Sequence, residues 1–218
     1  MSMTPPLRSL LIWGASGHAK VIVDIVRLSS QYEVIGFIDD LNAPTERGVI
    51  CGAPILGTRE QLLEIRKQGV EHILIAVGDN QTRKTLAEVS ERLTYSAATA
   101  IHPRACVAEG VSIGEGTVVM ANAVINSGTR IGRHVIVNTG ATVDHDCFVH
   151  DFASVAPGVH IGGHVEIEPL VMIGIGASVR DHLRIGREAR IGAGAAVVSS
   201  IEAGATVTGV PARTKGTK

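Results

Sequence analysis

A histidine with a carboxylate on either side, Asp144-His145-Asp146, is the most chemically suggestive triplet in the sequence. Imidazole titrates near neutrality, so it can take a proton from an attacking nucleophile and pass it on. A carboxylate bonded to the other ring nitrogen would fix the tautomer and strengthen the base. Asp144 and Asp146 both flank the ring, and Asp146 is the favoured partner. Polar residues of the C-terminal half cluster in this one run, from Asn138-Thr139 to Cys147. With a backbone N–H nearby to receive an oxyanion, the group suits acyl transfer from a thioester to an amine. Neither a covalent enzyme intermediate nor a metal is required. The bland alternative is a polar corner residue, in a chain with nine histidines.

A second set of candidates lies near the start. Gly14-Ala15-Ser16-Gly17-His18 is a glycine-rich turn between an apolar run and a segment of helical periodicity, a place where backbone N–H groups can receive a phosphate. Asp39 and Asp40 follow, Asp39 at 22 residues beyond Gly17, near the spacing at which an acidic residue accepts from ribose hydroxyls. Gly78-Asp79-Asn80 forms a third loop of the same kind. The turn lacks the third glycine of G-x-G-x-x-G, so it points to a nucleotide-bearing ligand rather than to NAD. The alternative is a tight turn that only closes the fold.

Metal chemistry offers a rival reading. His145 and His150 have the H-x4-H spacing of a γ-type carbonic anhydrase, but the position two coils earlier is Glu109 where a third histidine is needed. Asp146, His164 and His182 lie eighteen apart and should stack along one edge, which reads more simply as exposed corners.

The elements that position these groups are legible from periodicity. Every sixth residue from Ile101 to Val197 is Ile or Val, without a slip, and Gly often follows, as at Gly114, Gly132, Gly162 and Gly174. Helices repeat at about 3.6 and single strands at two, so a period of six demands a different solid. A triangular prism supplies it. Each six residues make one short strand and a corner, and eighteen make a coil, with coils stacked roughly 4.8 Å apart. Residues 7–95 instead alternate strands (Leu10–Trp13, Val34–Ile38, Ile73–Val77) with helices (Ala19–Leu28, Thr58–Gln68, and one through about Leu93), the pattern of a parallel α/β sheet whose ligands sit at the carboxyl ends of the strands.

Composition agrees. Hydrophobic residues make up 45% but aromatics only 3%, and there are 25 glycines, so the core must be a lattice of small aliphatics. A net charge of −1 gives no footprint for nucleic acid. No run approaches the ~18 apolar residues of a membrane span, and no secretory leader is evident. Three scattered cysteines, Cys51, Cys106 and Cys147, read as reduced thiols of a cytoplasmic protein. The ends, 1–6 and 214–218, are expected to be loose.

Together, Gly-Ala-Ser-Gly-His near the start, Asp39-Asp40, Ile75-Ala76-Val77-Gly78-Asp79-Asn80, Ile101-His102-Pro103, Asn138-Thr139, Asp144-His145-Asp146-Cys147 and the closing Gly209-Val210-Pro211-Ala212 resemble one family over nearly the whole chain. It is the sugar O- and N-acetyltransferases of the hexapeptide-repeat superfamily, typified by sialic acid O-acetyltransferases and bacillosamine-pathway N-acetyltransferases. The resemblance implies a small Rossmann-like parallel α/β domain (1–97) that binds a nucleotide-sugar, followed by a left-handed parallel β-helix (98–218), a hand that departs from the usual crossover rule. It implies His145 as general base tuned by Asp146, and a nucleotide-sugar held by Gly14–His18, Asp39, Asp40, Gly57, Gly78, Asn80 and Asn138. It also implies acetyl-CoA along a groove past Ser154, Ile175, Ala193, Gly209 and Pro211, with trimers that share active sites between subunits. The implied activity is N-acetylation of a nucleotide-linked 4-amino-4,6-dideoxy sugar for surface glycans such as O-antigen. GDP-perosamine is weakly preferred, while UDP- and dTDP-amino sugars stay open. Sugar O-acetylation and a non-enzymatic nucleotide sensor are the alternatives.

Overall fold

The structure, a computed structural model, describes residues 7–41 and 48–214. It falls into two compact units, Met1–Ile101 and His102–Lys218. Of the ends expected to be loose, 1–6 and 215–218 lie outside the described residues, whereas Thr214 is a strand residue paired with Val207.

The first unit is a six-stranded sheet with helices. Its elements are β1 (Arg8–Trp13), α1 (Gly17–Ser29), β2 (Tyr32–Ile38), β3 (Val49–Ile50), β4 (Ala53–Gly57), α2 (Leu62–Lys67), β5 (His72–Ile75), α3 (Asn80–Arg92) and β6 (Ser96–Ala97). The order across the sheet is β3-β4-β2-β1-β5-β6, parallel except for the β3–β4 hairpin. β1 lies centrally, so Leu10, Leu11 and Ile12 are wholly buried. α1 turns Ile22, Val23, Ile25 and Val26 into the core at helical spacing. The predicted helix over Thr58–Gln68 is divided. Thr58 and Gln61 form a capping box around a short 3-10 turn, Arg59–Gln61, and α2 follows. The β3–β4 hairpin escapes sequence reading because its two strands are short and Gly52 sits between them at φ +79°.

The second unit is a parallel β-helix. Two-residue strands recur with eighteen-residue register on three faces, as in Val119↔Val137↔Val155↔Ile173↔Ile191 on the first. The second face stacks Ile125, Val143, Ile161, Val179 and Val197, and the third Ile131, Val149, Ile167 and Ile185. All of these side chains join one apolar core. Burying each contributes about 1.5–3 kcal/mol, and no large aromatic is needed to fill the space. The register begins less tightly than the sequence suggests. Ile101 is 36% exposed, and Val107 and Ile113 are only partly buried, because a neighbouring rung on both sides is available only from Val119 onward.

Most corners bring one residue into the left-handed region. Between the first and second faces these are Asn122, Gly140, Gly158, Gly176 and Gly194; between the second and third they are Gly110, Gly128, Asp146, His164 and His182. Glycine is free to adopt this conformation, and aspartate tolerates it, whereas each histidine bears a cost on the order of 1 kcal/mol.

Candidate active site

His145 and Asp146 are the two turn residues of the corner between strands Thr142–Val143 and Phe148–Val149. The corner is tied on both sides. From the preceding coil, the Thr129 hydroxyl donates to the Asp144 carbonyl (2.7 Å) and accepts from the Cys147 N–H (3.1 Å). Toward the following coil, the Cys147 thiol donates to the Gly162 carbonyl at 3.2 Å. Burial pushes that thiol up from its ordinary value, so it acts as a structural donor and not as a nucleophile.

The two carboxylates have different work. Asp144 accepts from Asn126 Nδ2 and from the His145 N–H, both at 2.8 Å. The Asn126 bond, more than any other contact, holds its carboxyl below the usual range. Asp146 Oδ2 lies 2.9 Å from His145 Nδ1. An ionised carboxylate only accepts, so Nδ1 carries the proton and Nε2 presents its lone pair. The Asp146 bond, with smaller contributions from the two negative charges, raises the His145 pKa. About half of each side chain, 49% and 52%, remains exposed, so substrate has access. His164 from the next coil sets its ring edge-on to His145 at 5.1 Å, with its Nε2 3.7 Å from the same Asp146 oxygen.

Gly163 supplies room for the His145 ring. A Cβ built there would lie 2.7 Å from both Cε1 and Nε2 of His145. Gly128 does the same for Asp146, whose Oδ1 would be 2.3 Å from an added Cβ. Both were missed in sequence reading, since nothing in a lone Gly tells which neighbour it spares; the eighteen-residue register was the available signal.

The residues expected along the acetyl-CoA groove occupy another edge. Ile175, 62% exposed, and Ala193 stack eighteen apart at the corner between the first and second faces, and Asn138 opens the same corner two coils earlier. The second face therefore separates them from His145, and one prism does not bring them together. Ser154 is buried, on a strand of the first face beside Ile136 and Met172. Gly209 and Pro211 lie in the closing turn, which is clasped to Ala196: its N–H donates to Gly209 and its carbonyl accepts from Ala212.

In the first unit the three expected loops do follow β1, β2 and β5. Gly14 sits at φ +111°, where a Cβ would come 2.8 Å from the Ala76 carbonyl oxygen, so only glycine permits this approach. Asp39 is 5% exposed, and its oxygens accept from the Ala15 and Leu41 N–H groups. Its carboxylate fastens the loops from inside. Asp40 is engaged by Trp13 Nε1 and by the backbone and guanidinium of Arg59. Asn80 is likewise buried, accepting from Arg83 Nη2 at 2.8 Å. Arg83, 1% exposed, also donates to the Val77 and Gly78 carbonyls. Beside it His18 is pushed down to about 4, chiefly by burial. Gly57 receives the Asp39 N–H on its carbonyl at 3.0 Å. Ser16, Gly17 and Gly78 are the members of the set left facing solvent.

Residues 9–89 match the PglD N-terminal domain family, and residues 110–145 the bacterial transferase hexapeptide (six repeats) family. A histidine-to-alanine variant of GDP-perosamine N-acetyltransferase from Caulobacter crescentus, solved with CoA and GDP-perosamine, is 34% identical, with a TM-score of 0.92 over 97% of this chain and 99% of that one. This chain belongs to the nucleotide-sugar N-acetyltransferases. Such enzymes are acetyl-CoA-dependent and combine a Rossmann-like unit with a left-handed parallel β-helix. The acetyltransferase domain of PglB from Neisseria gonorrhoeae, in complex with acetyl coenzyme A, is 38% identical with a TM-score of 0.89 over 96% of this chain and all of that one. UDP-N-acetylbacillosamine N-acetyltransferase from Bacillus subtilis is 36% identical over 110 residues, so the match spans half the length of that curated relative.

Proposed function

We propose that the chain transfers the acetyl group of acetyl-CoA to the 4-amino group of a nucleotide-linked 4-amino-4,6-dideoxy sugar, with His145 as general base. The observation that carries this reading is the 2.9 Å bond from His145 Nδ1 to Asp146, which leaves Nε2 free on an exposed corner. The amine nitrogen attacks the thioester carbonyl as Nε2 takes its proton. The C–N bond forms, and the tetrahedral oxyanion is received by a backbone N–H of a neighbouring coil. Collapse breaks the C–S bond, and the His145 proton goes to the leaving CoA thiolate. Asp146 stabilises the transient imidazolium.

The loops Gly14–His18 and Gly78–Asn80 hold the nucleotide through backbone groups, while Asp39, Asp40 and Asn80 keep those loops in shape. Ile175, Ala193, Gly209 and Pro211 line the acetyl-CoA side. Because those residues and His145 stand on different edges of the prism, a complete site needs an edge from each of two copies, which supports a homotrimer with shared sites. Among the described residues no helix is long and apolar enough to cross a membrane, and Cys51, Cys106 and Cys147 are unpaired; these support action in the cytoplasm, in surface-glycan assembly. A GDP-linked sugar is the preferred acceptor, in line with the Caulobacter relative.

The test is to incubate the protein with acetyl-CoA and a panel of GDP-, UDP- and dTDP-linked 4-amino sugars, beside free sialic acid, and to follow CoA release. Turnover with a nucleotide-linked amino sugar is expected. Turnover with sialic acid alone would replace this reading by sugar O-acetylation.

A further inference from the structure

The corner that carries the base also gathers a ligand set for a transition-metal ion. His145, Asp146 and His164 each offer one donor atom, and the three atoms lie within 4.8 Å of one another. In a tetrahedral zinc site with bonds of about 2.0–2.1 Å, ligand atoms stand about 3.3 Å apart. The distances from Asp146 Oδ2 to His145 Nδ1 and His164 Nε2, 2.9 and 3.7 Å, bracket that separation, so small side-chain rotations suffice. His164 does not swing freely, since its ring is stacked on His182 at 4.6 Å with planes 16° apart. All three groups are exposed, which leaves an entry path and an open coordination position for water.

We propose that Zn2+ binds His145, Asp146 and His164 and thereby switches the enzyme off. This inference rests, for its effect on turnover, on His145 being the base. Coordination through Nδ1 takes the ring nitrogen that now donates to Asp146. A neutral imidazole metallated at Nδ1 keeps its proton on Nε2, so the atom that must accept the proton of the amine no longer has a lone pair. The metal also claims Asp146.

Titration calorimetry with ZnCl2 on the full chain tests the site without reference to activity. About one ion per chain is expected, with affinity lowered roughly tenfold or more in His164→Ala and lost in His145→Ala. Inhibition is read as the initial rate of acetylated sugar formed, because zinc captures the released CoA thiol. In His164→Ala the zinc concentration for half-inhibition, taken against that variant's own metal-free rate, is expected to rise roughly tenfold. Equal zinc affinity and equal inhibition in His164→Ala and the parent protein would overturn the proposal. Persistent turnover in His145→Ala would overturn the base assignment alone and leave the zinc site to the calorimetry.

Discussion

The imidazole of His145 lies over Gly163 of the next coil, in space that a single methyl group at that position would fill. Gly163 is not in the left-handed region, so alanine is acceptable to the backbone and the collision is with the ring alone. Gly163→Ala is expected to lower kcat by roughly tenfold to a hundredfold, the scale of an ångström-level misplacement of a catalytic group. KM for acetyl-CoA and the thermal midpoint should stay near those of the parent. An unchanged kcat would mean that the ring does not work from this position.

His145→Ala or His145→Asn removes the proton acceptor. A loss of about 10²–10⁴ in kcat is expected, with acetyl-CoA and the nucleotide-sugar still bound when measured by calorimetry. An undiminished kcat in either variant would overturn the assignment of His145 as base.

With His145 as the proposed base, only its neutral form accepts the proton, so kcat/KM should fall as pH drops through its pKa in the free enzyme. The Asp146 bond, helped by the charges of Asp144 and Asp146, raises that pKa, which places the acid limb above the ordinary histidine value of 6.5. Asp146→Asn should move the limb to lower pH and reduce the plateau, because the tautomer is no longer fixed. A pH-rate profile of the variant that keeps the parent's acid limb would assign the tuning elsewhere.

His18 makes a stability prediction. Its Nε2 has no hydrogen-bond partner among the described residues, and burial, reinforced by Arg83, lowers its pKa from 6.5 to about 4. Between those values the unfolded chain binds a proton that the folded chain refuses, so stability falls as pH drops, at up to about 1.4 kcal/mol per pH unit. In urea melts at pH 7 and pH 5, His18→Gln should show a smaller loss on acidification than the parent.

Ile167 is wholly buried between Val149 and Ile185 of adjacent rungs. Ile167→Ala should cost about 2–5 kcal/mol, seen as a lowered midpoint of denaturation, and the Ile167→Val variant about 0.5–1.5 kcal/mol.

The prism was legible because its inward residues obey one period, from Val119 to Val197, that no other fold imposes. The strands Leu10–Trp13 and Val34–Ile38 and helix Ala19–Leu28 were legible because a central parallel sheet buries continuous apolar runs. What escaped depends on partners distant in sequence. Asp39 resembled a ribose acceptor, yet the Ala15 N–H that occupies it belongs to another loop. Asp146 was the favoured partner of His145, but the work of Asp144 could not be read until Asn126, a coil earlier, was placed against it. Gly163 and Thr129 act on the site only through stacking, and the pairing that joins them to it is written in register, not in local residue type.

The eighteen-residue register gives the β-helix something like a reading frame. Every column of side chains, inward aliphatics and outward His145, Gly163 and His164 alike, is defined by position modulo the coil. A residue gained or lost within a strand would shift that rung's inward side chain out of its column, whereas one gained or lost at a corner can be taken up locally. The last coil shows this: Arg190 pairs with Thr206 and Ile191 with Val207, sixteen residues on, and Val207 still enters the core.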